Sequence, residues 1–300
     1  MSEGHSHSTT QVSGKNMAIA IVLNIIITGG QIIGGVISGS VALLTDALHN
    51  FSDVVSLILS YFTNRLAKRK STINQTYGFK RAEILSAFIN SATLIGIAIY
   101  LIVEAVERFI NPQKVNSDIV IYFAIASVIF NLISVVILHK DSKNNLNIKS
   151  AYLHLFTDVL TSIAVMIGGF LMKYYGIYRI DSILSVAIAI YLIFSSYKLL
   201  IESIKILMQF TPKEVDIQNV CDKVCVINEI KNIHHVHLWQ LNDKELFFEA
   251  HIDLKKDIKI TDFQDVLSNI EKVLDEFEIH HFNIQPEFNI DDNKSIIVEH

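Results

Sequence analysis

The chain has 300 residues, 51% hydrophobic and 18% charged, with a mean hydropathy of +0.40. That is too apolar for an ordinary soluble domain and points to a membrane protein. From Thr211 onward 19 acids face 9 bases, while 11 acids face 16 bases before it. This reads as a membrane half followed by an acidic, water-soluble half, with nothing that suggests nucleic-acid binding.

The N-terminal MSEGHSHSTTQ lacks a basic region ahead of a short apolar one, so it is not a secretory signal. Residues 1–14 read as a flexible tail, with weak metal capture by His5 and His7 as the alternative. A span needs about 20 mostly apolar residues. Met17–Ile37, Ile84–Val103 and Ile119–Leu138 are long enough and carry no Asp, Glu, Lys or Arg. Ile180–Leu200, and the His- and Asp-bearing Val41–Asn64 and Ile148–Met172, bring the candidates to six within residues 15–208. Gly30/Gly34 and Gly35/Gly39 have the small-x-x-x-small spacing that lets helices approach closely. The loop NRLAKRKSTINQTYGFKR carries six Lys or Arg and no acid, and HKDSKNNLNIKS is mildly basic. The opposite loops, SGS and YYGIYRID, are poorer in bases. Basic loops stay cytoplasmic, so both termini and the soluble half are predicted to lie inside.

In the soluble half, Thr211-Pro212-Lys213-Glu214 reads as a helix start, with the helix running to about Val224. Cys221 and Cys225 share an apolar stripe with Ile217, Val220 and Val224, so they read as core thiols, with a metal clip as the alternative. Two alternating strands follow, NIHHVHLWQL and ELFFEAHIDL, joined by the polar turn NDK. Thr261 reads as the cap of a second helix, and HHFNIQPEF is a last strand. The order αββαβ predicts a ferredoxin-like α+β cytosolic domain over residues 209–290, with 291–300 as a frayed polar tail.

Two spans carry the chemistry. His49 and Asp53, and again His154 and Asp158, stand at His-x-x-x-Asp spacing. Positions four apart share a helix face. An unpaired carboxylate at mid-bilayer costs at least about 2.5–3.5 kcal/mol on insertion scales, so two such pairs ask for a compensating cation. Two imidazole nitrogens and two carboxylate oxygens form a four-ligand set that suits Zn²⁺ and other late first-row ions. Asp46, one turn before His49, reads as a residue at the mouth of its span, with ligand and proton-relay roles as alternatives.

GSVALLTDALHNFSDVVSL, YGFKRAEILSAFINS and HLFTDVLTSIAVMIGG resemble the signature segments of the cation diffusion facilitator family. VHLWQLNDKELFFEAHIDL resembles that family's cytosolic domain, and the likeness runs from about residue 17 to 288. The resemblance implies a homodimeric six-helix carrier, of bacterial type, that exchanges cytosolic Zn²⁺ or a related ion for protons by alternating access. It also implies that His49, Asp53, His154 and Asp158 are the transport ligands. There are departures: the loop after the second span has no His or acid for a further metal site, Phe79 stands where some members have a ligand, and Gln31 stands where many place an acid.

Alternation puts His235, His237, His251, His281 and Glu287 on one polar sheet face. The resemblance implies a regulatory zinc between cytosolic domains with ligands near His235 and His251. The expected cytosolic set is therefore His235, His251, His281 and Glu287, with a solvated or dimer-facing surface as the alternative. Metal and protons compete for the same imidazoles and carboxylates, which gives exchange without a nucleotide, and no phosphate-binding Gly-rich loop is present. The expected protein is a proton-coupled Zn²⁺ exporter of a bacterial plasma membrane, with Co²⁺, Cd²⁺ and Fe²⁺ as further substrates. It needs no cofactor; its partners are divalent ions, protons, the bilayer and a second copy. A membrane metal sensor and an intramembrane metalloenzyme are the rivals; the second needs an open coordination position that four full ligands do not leave.

Overall fold

The structure is a computed structural model, and it describes residues 8–139 and 146–298. The chain forms two compact units, Met1–Ser60 with Ile89–Leu199, and Tyr61–Phe88 with Leu200–His300. Its long helices are α1 (Ser8–Ser38), α2 (Val41–Ala67), α3 (Ala82–Ile110), α4 (Ser117–His139), α5 (Leu146–Tyr175) and α6 (Arg179–Leu207). All six are long and apolar enough to cross a membrane. The first begins inside the stretch read as a tail, because polar residues extend the helix ahead of its apolar segment. His5 and His7 lie outside the described residues.

The first unit is packed as a membrane protein is, with large apolar side chains outward and small or polar ones inward. Val36, Tyr122 and Phe194 are 68%, 70% and 74% exposed, whereas Ser127, Asn131, Ser162 and Asp158 are buried. Small residues set the closeness of the bundle. Gly34 faces the ring of Phe123 on α4 with no room for a methyl group. A Cβ at Gly35 would stand 3.1 Å from the backbone of Leu44 on α2.

The start of α2 is fixed from both sides. Ser40 Oγ accepts from the Leu43 amide at 3.0 Å. Asp181, from α6, accepts from the Val41 amide at 2.7 Å and also bonds Ser40 Oγ. These bonds satisfy amides that a helix leaves open at its first turn. They also fix the part of α2 that carries Asp46, His49 and Asp53.

The second unit holds α7 (Ile217–Cys225), β1 (Ile230–Gln240), β2 (Leu246–Leu254), α8 (Ile260–Asp275) and β3 (His281–Glu287). The order αββαβ and the class α+β are as expected. The sheet order is β1-β2-β3, with β1/β2 antiparallel and β2/β3 parallel. Phe248, Ile252, Val220, Ile270 and Leu274 fill the core between helices and sheet. Lys80 bonds both carboxylate oxygens of Glu245, at 2.7 and 2.6 Å, and Tyr77 meets Phe247 edge-on at 5.4 Å.

Four features differ from the sequence reading. Thr261 lies inside the first turn of α8, whose cap position is Lys259 with no side-chain bond to the helix. α7 starts at Ile217, capped by Asp216, whose carboxylate accepts from the Gln218 amide at 3.0 Å. The Thr211–Glu214 segment instead closes a turn through the Val215 amide and the Pro212 carbonyl. β1 carries a bulge: its register with β2 shifts between His234 and His237, and His235 has φ 52°. Residues 292–297, expected to fray, fold back on β1. The His235 and Val236 amides donate to the Ser295 and Ile296 carbonyls at 3.1 and 2.8 Å, and Ile296 packs on the core. Ile296, the first of three successive apolar residues in the tail, anchors it.

Candidate metal centres

Within the first unit, α2 supplies His49 and Asp53, and α5 supplies His154 and Asp158. Nε2 of His154 lies 3.0 Å from Oδ2 of Asp53 and 3.8 Å from Oδ2 of Asp158. His49 offers Nε2 at 3.5 Å from Asp158 Oδ1 and Nδ1 at 3.7 Å from Asp53 Oδ2. The two imidazoles meet edge-on, with ring centroids 5.5 Å apart. Ligand atoms held tetrahedrally at about 2.0–2.1 Å from Zn²⁺ stand roughly 3.3 Å from one another. The observed separations bracket that value. Both nitrogens of His49 and both oxygens of Asp158 are buried without a hydrogen-bond partner. Buried groups in such a state are costly, and a cation between them removes the cost. His49, Asp53 and His154 each present an atom within 4.8 Å of the others. Asp158 stands outside that group of three, facing His49 with one carboxylate oxygen and His154 with the other.

Asp46 lies in the second turn of α2 and is enclosed by protein. It is 1% exposed and sits in a polar cluster against the same helices. Gln31 Nε2 donates to Asp46 Oδ2 at 2.6 Å and to Ser127 Oγ at 3.1 Å. Ser162 Oγ donates to the same Asp46 oxygen at 3.3 Å, and Asn50 Nδ2 donates to Gln31 Oε1 at 3.0 Å. Gln31, which the sequence marks only as a departure, thus donates a short bond to a buried carboxylate.

A second cluster lies on the sheet of the second unit. It joins His234, His251, Glu287 and Asp292, not the expected four. His251 and Glu287 are in it; His235 and His281 are not. His234 Nε2 stands 3.2 Å from Glu287 Oε2 and 3.4 Å from Asp292 Oδ2. His251 Nδ1 approaches Glu287 Oε1 to 2.8 Å without forming a hydrogen bond. The bulge explains the exchange of histidines. Two residues there oppose one on β2, so His234 pairs with His251 and turns to the face that strict alternation assigned to His235. His235 instead lies tilted by 30° against the His251 ring, with ring centroids 4.5 Å apart. His281 pairs with Phe247, four residues along β2 from His251, and packs on that ring at 4.1 Å. Alternation gives the face of a strand and not the position along it. His237 lies beyond the bulge and meets His235 at 5.3 Å.

Lys294 reaches into this second cluster. Its Nζ donates to Asp253 Oδ1 at 3.0 Å, to Glu287 Oε2 at 3.1 Å and to His234 Nε2 at 3.4 Å, and it pairs with Asp292. Burial works against the Lys294 charge, but the bonds to Asp292, Asp253 and Glu287 outweigh it and raise its pKa. The same ammonium lowers the pKa of Asp292. The cysteines stand apart: Cys221 is 2% exposed in the core, and burial pushes its thiol up to about 12. A protonated thiol is no metal ligand at neutral pH.

Six apolar helices around a buried His/Asp pocket, followed by an α+β domain, define an integral, multi-pass membrane protein with a polar site among its helices. Residues 17–208 match the family described as "Cation efflux transmembrane domain", and residues 212–288 match "Cation efflux protein, cytoplasmic domain". The chain is 36% identical over 289 residues to the "Cadmium, cobalt and zinc/H(+)-K(+) antiporter" of Bacillus subtilis, covering 95% of this chain and 92% of the other. It is 32% identical to "Zinc transporter ZitB" of Escherichia coli, with 96% and 93% covered. It is 31% identical to "Metal cation efflux system protein CzcD" of Cupriavidus metallidurans, with 95% and 90% covered. The chain belongs to the cation efflux, or cation diffusion facilitator, family, whose members are transporters and not enzymes.

Proposed function

We propose that this protein exports Zn²⁺ from the cytoplasm of a bacterium across its plasma membrane in exchange for protons, with Co²⁺, Cd²⁺ and Fe²⁺ as further substrates. His49, Asp53, His154 and Asp158 bind the ion as substrate. One observation carries the reading: each His of the two helices faces both Asp residues at pairwise separations of 3.0–3.8 Å, and the buried His49 nitrogens and Asp158 oxygens have no hydrogen-bond partner. Relatives named for zinc, cadmium and cobalt support the substrate class. Protons and metal compete for these four groups, because the ligands bind only when deprotonated. Alternating access of the pocket then loads metal from the cytoplasmic side and protons from the other. Both termini lie in the cytoplasm, and the chain acts as a homodimer. The second cluster, His234, His251, Glu287 and Asp292, binds cytosolic Zn²⁺ as a regulatory ligand that tightens the dimer by mass action.

The test is zinc-65 uptake into inside-out vesicles containing the purified protein, with an acidic lumen. Uptake that follows the pH gradient and collapses when a proton ionophore removes it is the expected result. Uptake equal to protein-free vesicles overturns transport and leaves a membrane metal sensor as the reading. Gradient-independent uptake overturns the proton coupling.

A further inference from the structure

The second cluster already holds a cation, and the chain supplies it. Lys294 Nζ stands 3.1 Å from Glu287 Oε2 and 3.4 Å from His234 Nε2, and it pairs with Asp292. These residues are three of the four that form the candidate metal set. An ammonium has three protons and no lone pair to offer, so it uses the same acceptor atoms a metal ion would use. The lysine is delivered, not drifting. On one side β3 ends at Glu287, and Asn289 turns the chain at φ 55°. On the other, the bonds from the His235 and Val236 amides fix Ser295 and Ile296. The stem, 31% exposed, runs between these anchors from the surface into the site.

We propose that Lys294 is an intramolecular competitor of the regulatory metal: its ammonium neutralises Asp253, Glu287 and Asp292 in the metal-free protein, and a bound metal ion expels it to solvent. This rests on the reading of the second cluster as a metal site. Two consequences follow from geometry. The carboxylates remain gathered when no metal is bound, so the site is preassembled. The metal binds only the fraction of molecules whose lysine has left, so its apparent dissociation constant is raised in proportion. The domain thereby responds to a higher cytosolic concentration than the bare ligands would set. Asp292 lies two residues from Lys294 and keeps its place as a ligand, so the exchange needs movement of one side chain only.

The experiment uses full-length protein in detergent, carrying Asp53→Ala and Asp158→Ala to silence the membrane site. Zinc binding is measured by calorimetry for this background, for Lys294→Met, and for Lys256→Met, whose exposed side chain serves as a charge control. The same samples are pulse-labelled with an amine-acylating reagent, and each lysine is read by mass spectrometry with and without saturating zinc. Zinc affinity at least about tenfold tighter in Lys294→Met, a change under about twofold in Lys256→Met, and several-fold faster acylation of Lys294 on zinc binding are expected. Unchanged affinity in Lys294→Met, or equal acylation of Lys294 with and without zinc, overturns the competitor while zinc binding itself leaves the metal site standing. Absence of zinc binding in both the background and Lys294→Met overturns the metal site and the competitor together.

Discussion

Oδ2 of Asp53 and Nε2 of His154 lie 3.0 Å apart although 101 positions separate them along the chain. The contact fixes the rotation of α2 against α5, because each residue shares its helix face with a second donor one turn away. On the proposed reading the four groups hold one ion, and loss of one ligand is expected to leave a set too poor to hold it. Asp53→Ala or Asp158→Ala is expected to reduce zinc uptake in vesicles to background. Expression and membrane insertion remain normal, since removing an intramembrane charge does not hinder insertion. Near-native flux in either variant removes that residue from the transport site.

Asp46 makes a different demand. Its carboxylate is buried, and its shortest bond comes from the Gln31 amide at 2.6 Å. Gln31→Leu deletes that donor and leaves the Asn50 amide without its acceptor, Gln31 Oε1. Unsatisfied buried polar groups cost about 1–3 kcal/mol. The purified variant is expected to melt several degrees lower than the parent in detergent. Gln31→Glu, which keeps the volume but sets a second carboxylate beside Asp46, is expected to be worse at neutral pH than at pH 5. Equal melting temperatures of parent and Gln31→Leu would show the cluster to be hydrated and tolerant.

The site was legible where the chemistry is local. His-x-x-x-Asp on an apolar segment specifies a face, and two copies specify a pocket, so His49, Asp53, His154 and Asp158 needed no tertiary information beyond the packing of two helices. Gln31 and Ser127 were not legible, because a single polar residue in a span does not say which helix it turns to. The sheet was legible in order and class and misread at one point. A bulge at His235 is a backbone event with no glycine to announce it, yet it decides which histidine faces Glu287. Asp292 and Lys294 were hidden by their tail, whose polarity masked the apolar anchor Ile296.

His49 is the buried histidine of the set, 4% exposed, and its Nε2 faces Asp158. Two imidazoles in a compact tetrahedron serve Zn²⁺ well. His49→Asp gives three carboxylates and one imidazole, a more anionic and less exacting site. Cadmium is expected to compete more strongly against zinc-65 uptake in this variant, by a factor of about ten. An unchanged zinc-over-cadmium preference places selectivity elsewhere in the pocket.

Cys221 offers a prediction independent of metal. Its thiol is held up to about 12 by burial first and by the neighbouring Cys225 second, against an ordinary value near 9. Between those two values an unfolded chain releases a proton that the folded chain keeps. The unfolded state then binds fewer protons, so stability falls as pH rises through this window and is unaffected by Cys221 below it. Only the thiolate reacts with alkylating reagents. At pH 9 a thiol titrating near 12 is ionised two to three orders of magnitude less than an ordinary one, by the definition of the constant. Iodoacetamide is therefore expected to modify Cys221 of the folded, full-length protein about a hundredfold or more slowly than the same cysteine after denaturation. Cys221→Ala is expected to flatten part of the loss of melting temperature between pH 9 and pH 11. Labelling of folded Cys221 at the denatured rate would place the thiol at the surface and contradict the packing of α7 against β1.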